Sequence, residues 1–280
     1  MIPKQKTLKK EISFSGVGLH SGEAVKISLI PRKSNSGITF NIDGNVIRAS
    51  WKLGKISQLC TQIQKDKITL STIEHLMSSL SGSSIDNLEI KTSSNEMPIL
   101  DGSAKDYIDK IFECGLCENN DFRKHLKVKK KVVLEEKNKF ITIEPINEKK
   151  LIIDYTIKYN DEFIKKQNLY YEHSEENFKK IYNARTFCLH QDLEKIFSMG
   201  LARGGSLDNA IVVSGQKILN QGGLRYKDEF VRHKILDCIG DLYLAEYPIW
   251  GKVTVHGGGH ELNLKILQKL FKDRSNYKII

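Results

Sequence analysis

No stretch of this 280-residue chain approaches the roughly 18 consecutive apolar residues that a membrane-spanning helix needs. The N-terminal segment MIPKQKTLKKEIS is basic but has no apolar run behind it, so a secretory signal is not expected. Cysteine is scarce. Its five positions (60, 114, 117, 188 and 238) form an odd, scattered set. That argues against a disulfide framework and for a reducing compartment, the cytoplasm. Cys114 and Cys117 make a single CxxC with no second pair to complete a four-cysteine zinc site, so the pair is read as structural or incidental. HExxH is absent, which excludes a thermolysin-like protease. The segment LARGGSLDNA fits neither GxGxxG nor the Walker pattern, so no nucleotide fold follows from its glycines. Short-period repeats and low-complexity tracts are missing as well.

What is present is an ordinary globular composition, 40% hydrophobic and 28% charged, which excludes a disordered chain. The length suits one large or two ordinary domains. A formal net charge of +10 favours anionic partners: nucleic acid, a membrane surface or a phosphorylated small molecule. The densest basic cluster, KVKKKVVLEEK, runs at once into glutamates and reads as a strand or linker surface rather than a nucleic-acid face.

In the first half, AVKISLIP and GITFNI read as strands. TLSTIEHLMSSLSG reads as a helix, with Leu70, Ile73, Met77 and Leu80 at helical spacing and Gly82 as its stop. SIDNLEIKT is a strand. DGSAKDYIDKIFECG is a second helix, capped by Asp101 and stopped by Gly115. The polar stretch NNDFRKHLKVKKK marks a change of unit. Beyond it KFITIEP and LIIDYTIKY are strands, and SEENFKKIYNAR is a helix capped by Ser174. NAIVVSGQKILN reads as strand, turn, and strand or short helix. A long helix covers about 228–246, and GKVTVHG is a strand. Each half places a histidine in an apolar-striped helix that leads through a short turn into a strand. The expectation is an α+β fold of two similar units facing each other, spanning 1–125 and 126–280.

The long helix carries HKILDCIGD. At about 100° per residue, Asp237 lies about 40° and Asp241 about 80° from His233, so the three share one stripe. Val231, Ile235, Cys238 and Leu242 fall opposite and can face a core. A solvated face would account for such a stripe, since polar pairs at i,i+4 are common on exposed helices. Two features favour a site. Leu236 and Leu244 flank the stripe, and Gly240 costs about 0.8–1.0 kcal/mol relative to Ala unless something approaches closely there. His and Asp four apart can hold one metal ion together, and a catalytic zinc takes three protein ligands plus water. IEHL offers His75 as a third ligand, with Glu74 beside it as a base toward water. VHGGGHELN sets His256 and His260 around three glycines, which fits either a ligand near the backbone or an exposed turn. NARTFC supplies the Thr186 hydroxyl and Phe187.

GVGLHSG, STIEHLMSSL, PILDGSA, ARTFC, GGSLDNAIVV, DEFVRHKILDCIGDLYL and GGGHELN follow one another along the chain. In that order they resemble the bacterial UDP-3-O-acyl-N-acetylglucosamine deacetylases, zinc amidases of lipid A biosynthesis, over essentially the whole length. The resemblance implies two α+β domains, each with a mostly antiparallel sheet, and helices packed between the two sheets. It implies hydrolysis of the substrate acetamide to UDP-3-O-acyl-glucosamine and acetate, the committed step of the pathway. It assigns Zn²⁺ to His75, His233 and Asp237. It makes Glu74 the base, His260 paired with Asp241 the proton donor, Thr186 a stabiliser of the oxyanion and Lys234 a nearby positive charge. Tyr159, Phe187 and Cys60 are implied near the substrate, and the acyl chain is expected in an insert at YTIKYNDEFIKKQNLYY. One departure concerns the phosphates: a family lysine just before the glycine turn is replaced here by His256 and Gly257. The expected partner is the acylated UDP-sugar, bound by a monomer with no nucleic acid and at most peripheral membrane contact. A nucleic-acid module and a non-catalytic scaffold are the competing readings, and bound zinc fits neither.

Overall fold

Alternate burial along the strands builds the two main sheets. In Ala24–Pro31, Val25, Ile27 and Leu29 point inward, and in Ile249–His256 the residues at 249, 251, 253 and 255 do. The structure is a computed structural model that describes residues 3–57 and 59–280. One sheet has five strands in the order Ile12–Val17, Ala24–Pro31, Leu88–Thr92, Ile38–Ile42, Asn45–Arg48. All its pairings are antiparallel except that of Ile38–Ile42 with Leu88–Thr92. The other sheet has seven strands and centres on Ile249–His256, which pairs antiparallel with Lys139–Glu144 and parallel with Leu151–Lys158 and Leu126–Val128. Every strand of the first sheet precedes residue 93, and every strand of the second follows residue 125.

Six α-helices occur among the described residues: α1 (Glu74–Gly82), α2 (Lys105–Cys114), α3 (Glu175–Phe178), α4 (Leu193–Ser198), α5 (Glu229–Leu242) and α6 (His260–Lys272). Helices α1 and α5 are buried on nearly every side and pack against each other, as helices between two layers must. The fold is therefore α+β with helices between sheets, and one apolar core runs through both halves, from Leu76 and Leu80 to Leu236 and Ile239. The side of α5 that carries the polar stripe is not a solvated face; it is covered by α1 and α6. Gly240 shows why. A Cβ there would lie 2.1 Å from the Glu74 carbonyl oxygen, so the glycine lets α5 meet the start of α1 backbone to backbone. Burial of Leu236 and Ile239 contributes about 1.5–3 kcal/mol each, which outweighs the helix propensity that Gly240 forfeits.

Several elements differ from the sequence expectation. Leu70 ends a strand, Ile68–Leu70, and is not on α1. Thr72 has φ of +57°, a left-handed conformation held by its hydroxyl's hydrogen bond to Glu96 Oε1 at 2.9 Å, and this breaks the helical stripe. Gly82 closes α1 as a packing residue: its missing Cβ makes room for the Phe178 ring. Asp101 does not cap α2. It accepts from Ser103 N at 2.9 Å and from Arg225 at 2.7 Å, and Ser103 Oγ accepts from Lys105 N. Ser174 does cap α3, accepting from Asn177 N at 3.0 Å. That helix stops at Phe178, however, and gives way to turns, after which the carbonyls of Tyr182 and Ala184 meet other elements. Helix α6 lies beyond the elements read from the sequence; His260 is its first residue rather than part of an open turn.

Candidate metal centre and active-site cleft

The starts of α1 and α6 and the first turns of α5 open on one cavity of about 370 Å³, lined among others by Glu74, His75, Tyr159, Thr186, Phe187 and His260. The i,i+4 spacing on α5 places His233 and Asp237 side by side, and α1 brings His75 opposite. Asp237 Oδ1 lies 3.4 Å from His75 Nε2 and 3.3 Å from His233 Nε2. One ligand atom from each of the three residues falls within 4.8 Å of the others. The two imidazoles meet edge to face, with centroids 5.0 Å apart. Asp237 Oδ1 is buried and accepts no hydrogen bond among the described residues.

Protonation follows from burial and neighbours. Burial pulls the His233 pKa down to about 3, so its ring is neutral and has one N–H. Nδ1 lies 3.0 Å from the Ala184 carbonyl, which can only accept, so the proton sits on Nδ1 and the Nε2 lone pair faces Asp237. Burial alone would raise the Asp237 pKa. His233 and Lys234 outweigh it and hold the carboxyl well below its ordinary range. Lys234 donates to Asp237 Oδ2 at 2.8 Å, and its ammonium lies 5.6 Å from the Phe187 ring centroid. Two imidazole nitrogens and a carboxylate oxygen, one of them an orphaned buried acceptor, are a donor set suited to a divalent ion such as zinc.

The second cluster lies beside the first. His260 Nδ1 donates to Asp241 Oδ2 at 3.0 Å, and Asn263 donates to the same oxygen at 2.8 Å. Thr61 hydrogen-bonds the other Asp241 oxygen through its hydroxyl, and its backbone N–H donates to Glu74 Oε2 at 2.9 Å. His260 Nε2 faces Glu74 Oε1 at 4.0 Å and Asp237 Oδ2 at 3.9 Å. Burial opposes charge on His260, but the charge and hydrogen bond of Asp241 outweigh it and raise the pKa to about 9. Burial raises the pKa of Glu74, against the opposing charges of His260 and His75.

Of the residues singled out in the sequence, His75, His233, Asp237, Glu74, Lys234, Thr186, Phe187, Tyr159 and His260 line the cavity, and Asp241 stands behind His260. Cys60 does not line it. Its thiol is buried on a neighbouring polar cleft with His20 and Gln62, its pKa raised to about 11 by burial and by the charge of Glu74. Tyr159 meets Phe187 edge to face at 5.6 Å. From the stretch 155–171, Tyr159 reaches the cleft wall. An apolar cavity of about 300 Å³ opens from the cleft between Thr186 and Val212, with Phe187, Leu193, Ile196, Phe197 and Ala210 in its wall. Sequence reasoning also missed Thr61 and Asn263, which hold Asp241, and the cleft-wall residues Lys139, Glu136, Asp192 and Glu261. Leu262, Ile266, Leu267 and Leu270 recur at helical spacing and could have revealed α6, hence the place of His260 and Asn263.

The chain has relatives over nearly its whole length. It matches the UDP-3-O-acyl N-acetylglycosamine deacetylase family over residues 5–272. It is 41% identical over 280 residues to the UDP-3-O-acyl-N-acetylglucosamine deacetylase of Campylobacter fetus, an alignment covering 99% of this chain and 95% of that one. The protein of the same name from Campylobacter jejuni is 41% identical over 282 residues, with the same coverage. That of Nitratiruptor is 40% identical over 280 residues, covering 99% of this chain and 93% of its own. A match of this length and identity, on a chain whose buried His and Asp residues converge on one cleft, makes this protein a member of the UDP-3-O-acyl N-acetylglycosamine deacetylase family.

Proposed function

We propose that this chain is a zinc-dependent hydrolase that removes the acetyl group of UDP-3-O-acyl-N-acetylglucosamine, giving UDP-3-O-acyl-glucosamine and acetate, the committed step of lipid A biosynthesis. The observation that carries the metal assignment is the convergence of His75, His233 and Asp237 around a buried, unpartnered carboxylate oxygen. A zinc ion held there supplies Lewis acidity toward the acetamide carbonyl and toward water. Glu74, oriented by the Thr61 N–H, takes the proton of the attacking water. The Thr186 hydroxyl donates a hydrogen bond to the oxyanion as the water oxygen adds to the carbonyl carbon. Charged His260, held by Asp241, gives its proton to the amine as the C–N bond breaks. Two groups with shifted pKa values thus divide the acid and base roles.

Substrate binding follows the chemistry of the walls. The apolar cavity from Phe187 to Val212 receives the acyl chain. Lys234 and Lys139 bring positive charge to the cleft for the diphosphate, and Lys139 serves where the glycine turn has no lysine. Tyr159 and Phe187 offer ring faces and edges to the sugar and the start of the chain. In this reading residues 1–125 and 126–280 are two domains closing on one ion, and the enzyme works as a cytoplasmic monomer. No described helix is long and apolar enough to cross a membrane. The test is metal content and turnover together: about one zinc per chain, acetate release from the acylated UDP-sugar, and loss of both in His75→Ala and Asp237→Ala. Turnover unaffected by a chelator would overturn the zinc assignment.

A further inference from the structure

One buried ion pair next to the metal centre has no part in the mechanism above. Glu229 opens α5 and is 0% exposed. Its carboxylate accepts from Arg185 N and Nε, both at 3.0 Å, from Arg185 Nη2 at 3.3 Å and from the Arg225 backbone N–H. An acidic group in a first helical turn is favourable at the surface. Burying it completely with an arginine fork is weak evidence for stability, because the desolvation of both charges offsets their attraction.

What the pair does fix is position. Arg185 lies between Ala184, whose carbonyl faces His233 Nδ1 at 3.0 Å, and Thr186, whose side chain lines the cleft. Thr186 N donates to Gly102 O at 2.8 Å, and Ile211 N to Thr186 O at 2.8 Å, so the far side of the tripeptide is also anchored. Glu229 and His233 are four residues apart. Successive turns of α5 therefore grip successive residues of the 184–186 segment.

We propose that Glu229, acting through Arg185, is a positioning residue that holds the Ala184 carbonyl in place and so presets the ring orientation and tautomer of His233 for metal binding. The inference rests on the zinc reading above. Partners of a ligand's second nitrogen typically alter metal affinity by about 10–100-fold when removed. Glu229 acts one contact further out, so the lower end of that range applies.

The test is Glu229→Gln. An amide must turn its NH₂ toward N–H donors that the carboxylate accepted, which loosens the 184–186 segment. The expected result is zinc affinity about tenfold weaker, measured by competition with a chelating dye. In the metal-free variant, ¹⁵N shifts of the His233 ring should report a mixture of tautomers, where the wild type holds Nδ1–H. Val253→Ala, in the second sheet, serves as a control of lowered Tm and should keep the wild-type zinc affinity. Should Glu229→Gln fail to fold, Arg185→Lys keeps the charge, removes the fork and is read by the same two measurements. Wild-type zinc affinity together with a wild-type ring tautomer in the folded variant overturns the proposal. Failure of the zinc reading itself looks different: His233→Ala would then bind zinc as tightly as the wild type.

Discussion

Replacing Asp241 with Asn tests the acid–base assignment most directly. In the wild type, burial disfavours charge on His260, and Asp241 reverses the balance and raises the pKa to about 9. Without the carboxylate charge, burial is the largest remaining influence, so the pKa falls back toward its ordinary 6.5. At pH 8 a group of pKa about 9 is about 90% charged, and one of pKa 6.5 about 3%. Loss of the proton donor alone then lowers kcat/KM about 30-fold at pH 8, whereas at pH 6 the protonation deficit is below about twofold. The pH dependence of acetate release, taken as the ratio of variant to wild type, reads this effect on the alkaline limb. A side-chain NMR titration of His260 gives the pKa independently. Linkage adds a signed expectation for stability. A folded-state pKa raised above 6.5 stabilises fully below pH 6.5, and that contribution is lost as pH rises through about 9. A shift of this size is worth at most about 3 kcal/mol, so metal-free wild type should lose stability over that window and Asp241→Asn should not. A deficit that is equal at pH 6 and pH 8, or an alkaline limb left near 9, would refute the pairing.

Glu74→Gln should lower kcat by about 10²–10⁴-fold while zinc stays bound, and the acidic limb of the pH profile should disappear with the carboxyl; metal analysis beside steady-state kinetics checks it. Gly240→Ala puts a methyl 2.1 Å from the Glu74 carbonyl oxygen, so α1 and α5 must part. Thermal melts should show a loss of about 1–3 kcal/mol together with weaker zinc binding. Ala210→Phe fills the apolar cavity without touching the cleft; long-chain substrates should lose at least about tenfold in kcat/KM while short-chain ones are spared, in a chain-length series.

Much of this protein could be read from residue order. The strands Ala24–Pro31 and Ile38–Ile42 follow from alternation, and α5 from its apolar spacing, because those periods reflect the local geometry of one element. The i,i+4 spacing alone put His233 and Asp237 on one stripe, and the motif order pointed to the family. Only the tertiary structure could decide that this stripe is buried, since that depends on α1 docking at Gly240 through contacts distant in sequence. The same holds for the meeting of His75 with Asp237, and for Thr61 and Asn263 around Asp241: each joins elements far apart in the chain, and no local propensity encodes the distance. Leu70 fell outside α1 because a left-handed Thr72, tied to Glu96, interrupted an otherwise helical pattern. The apolar cavity lined from Phe187 to Val212 was not legible in any one segment, because cavities arise where several elements fail to fill the space between them, a property of packing.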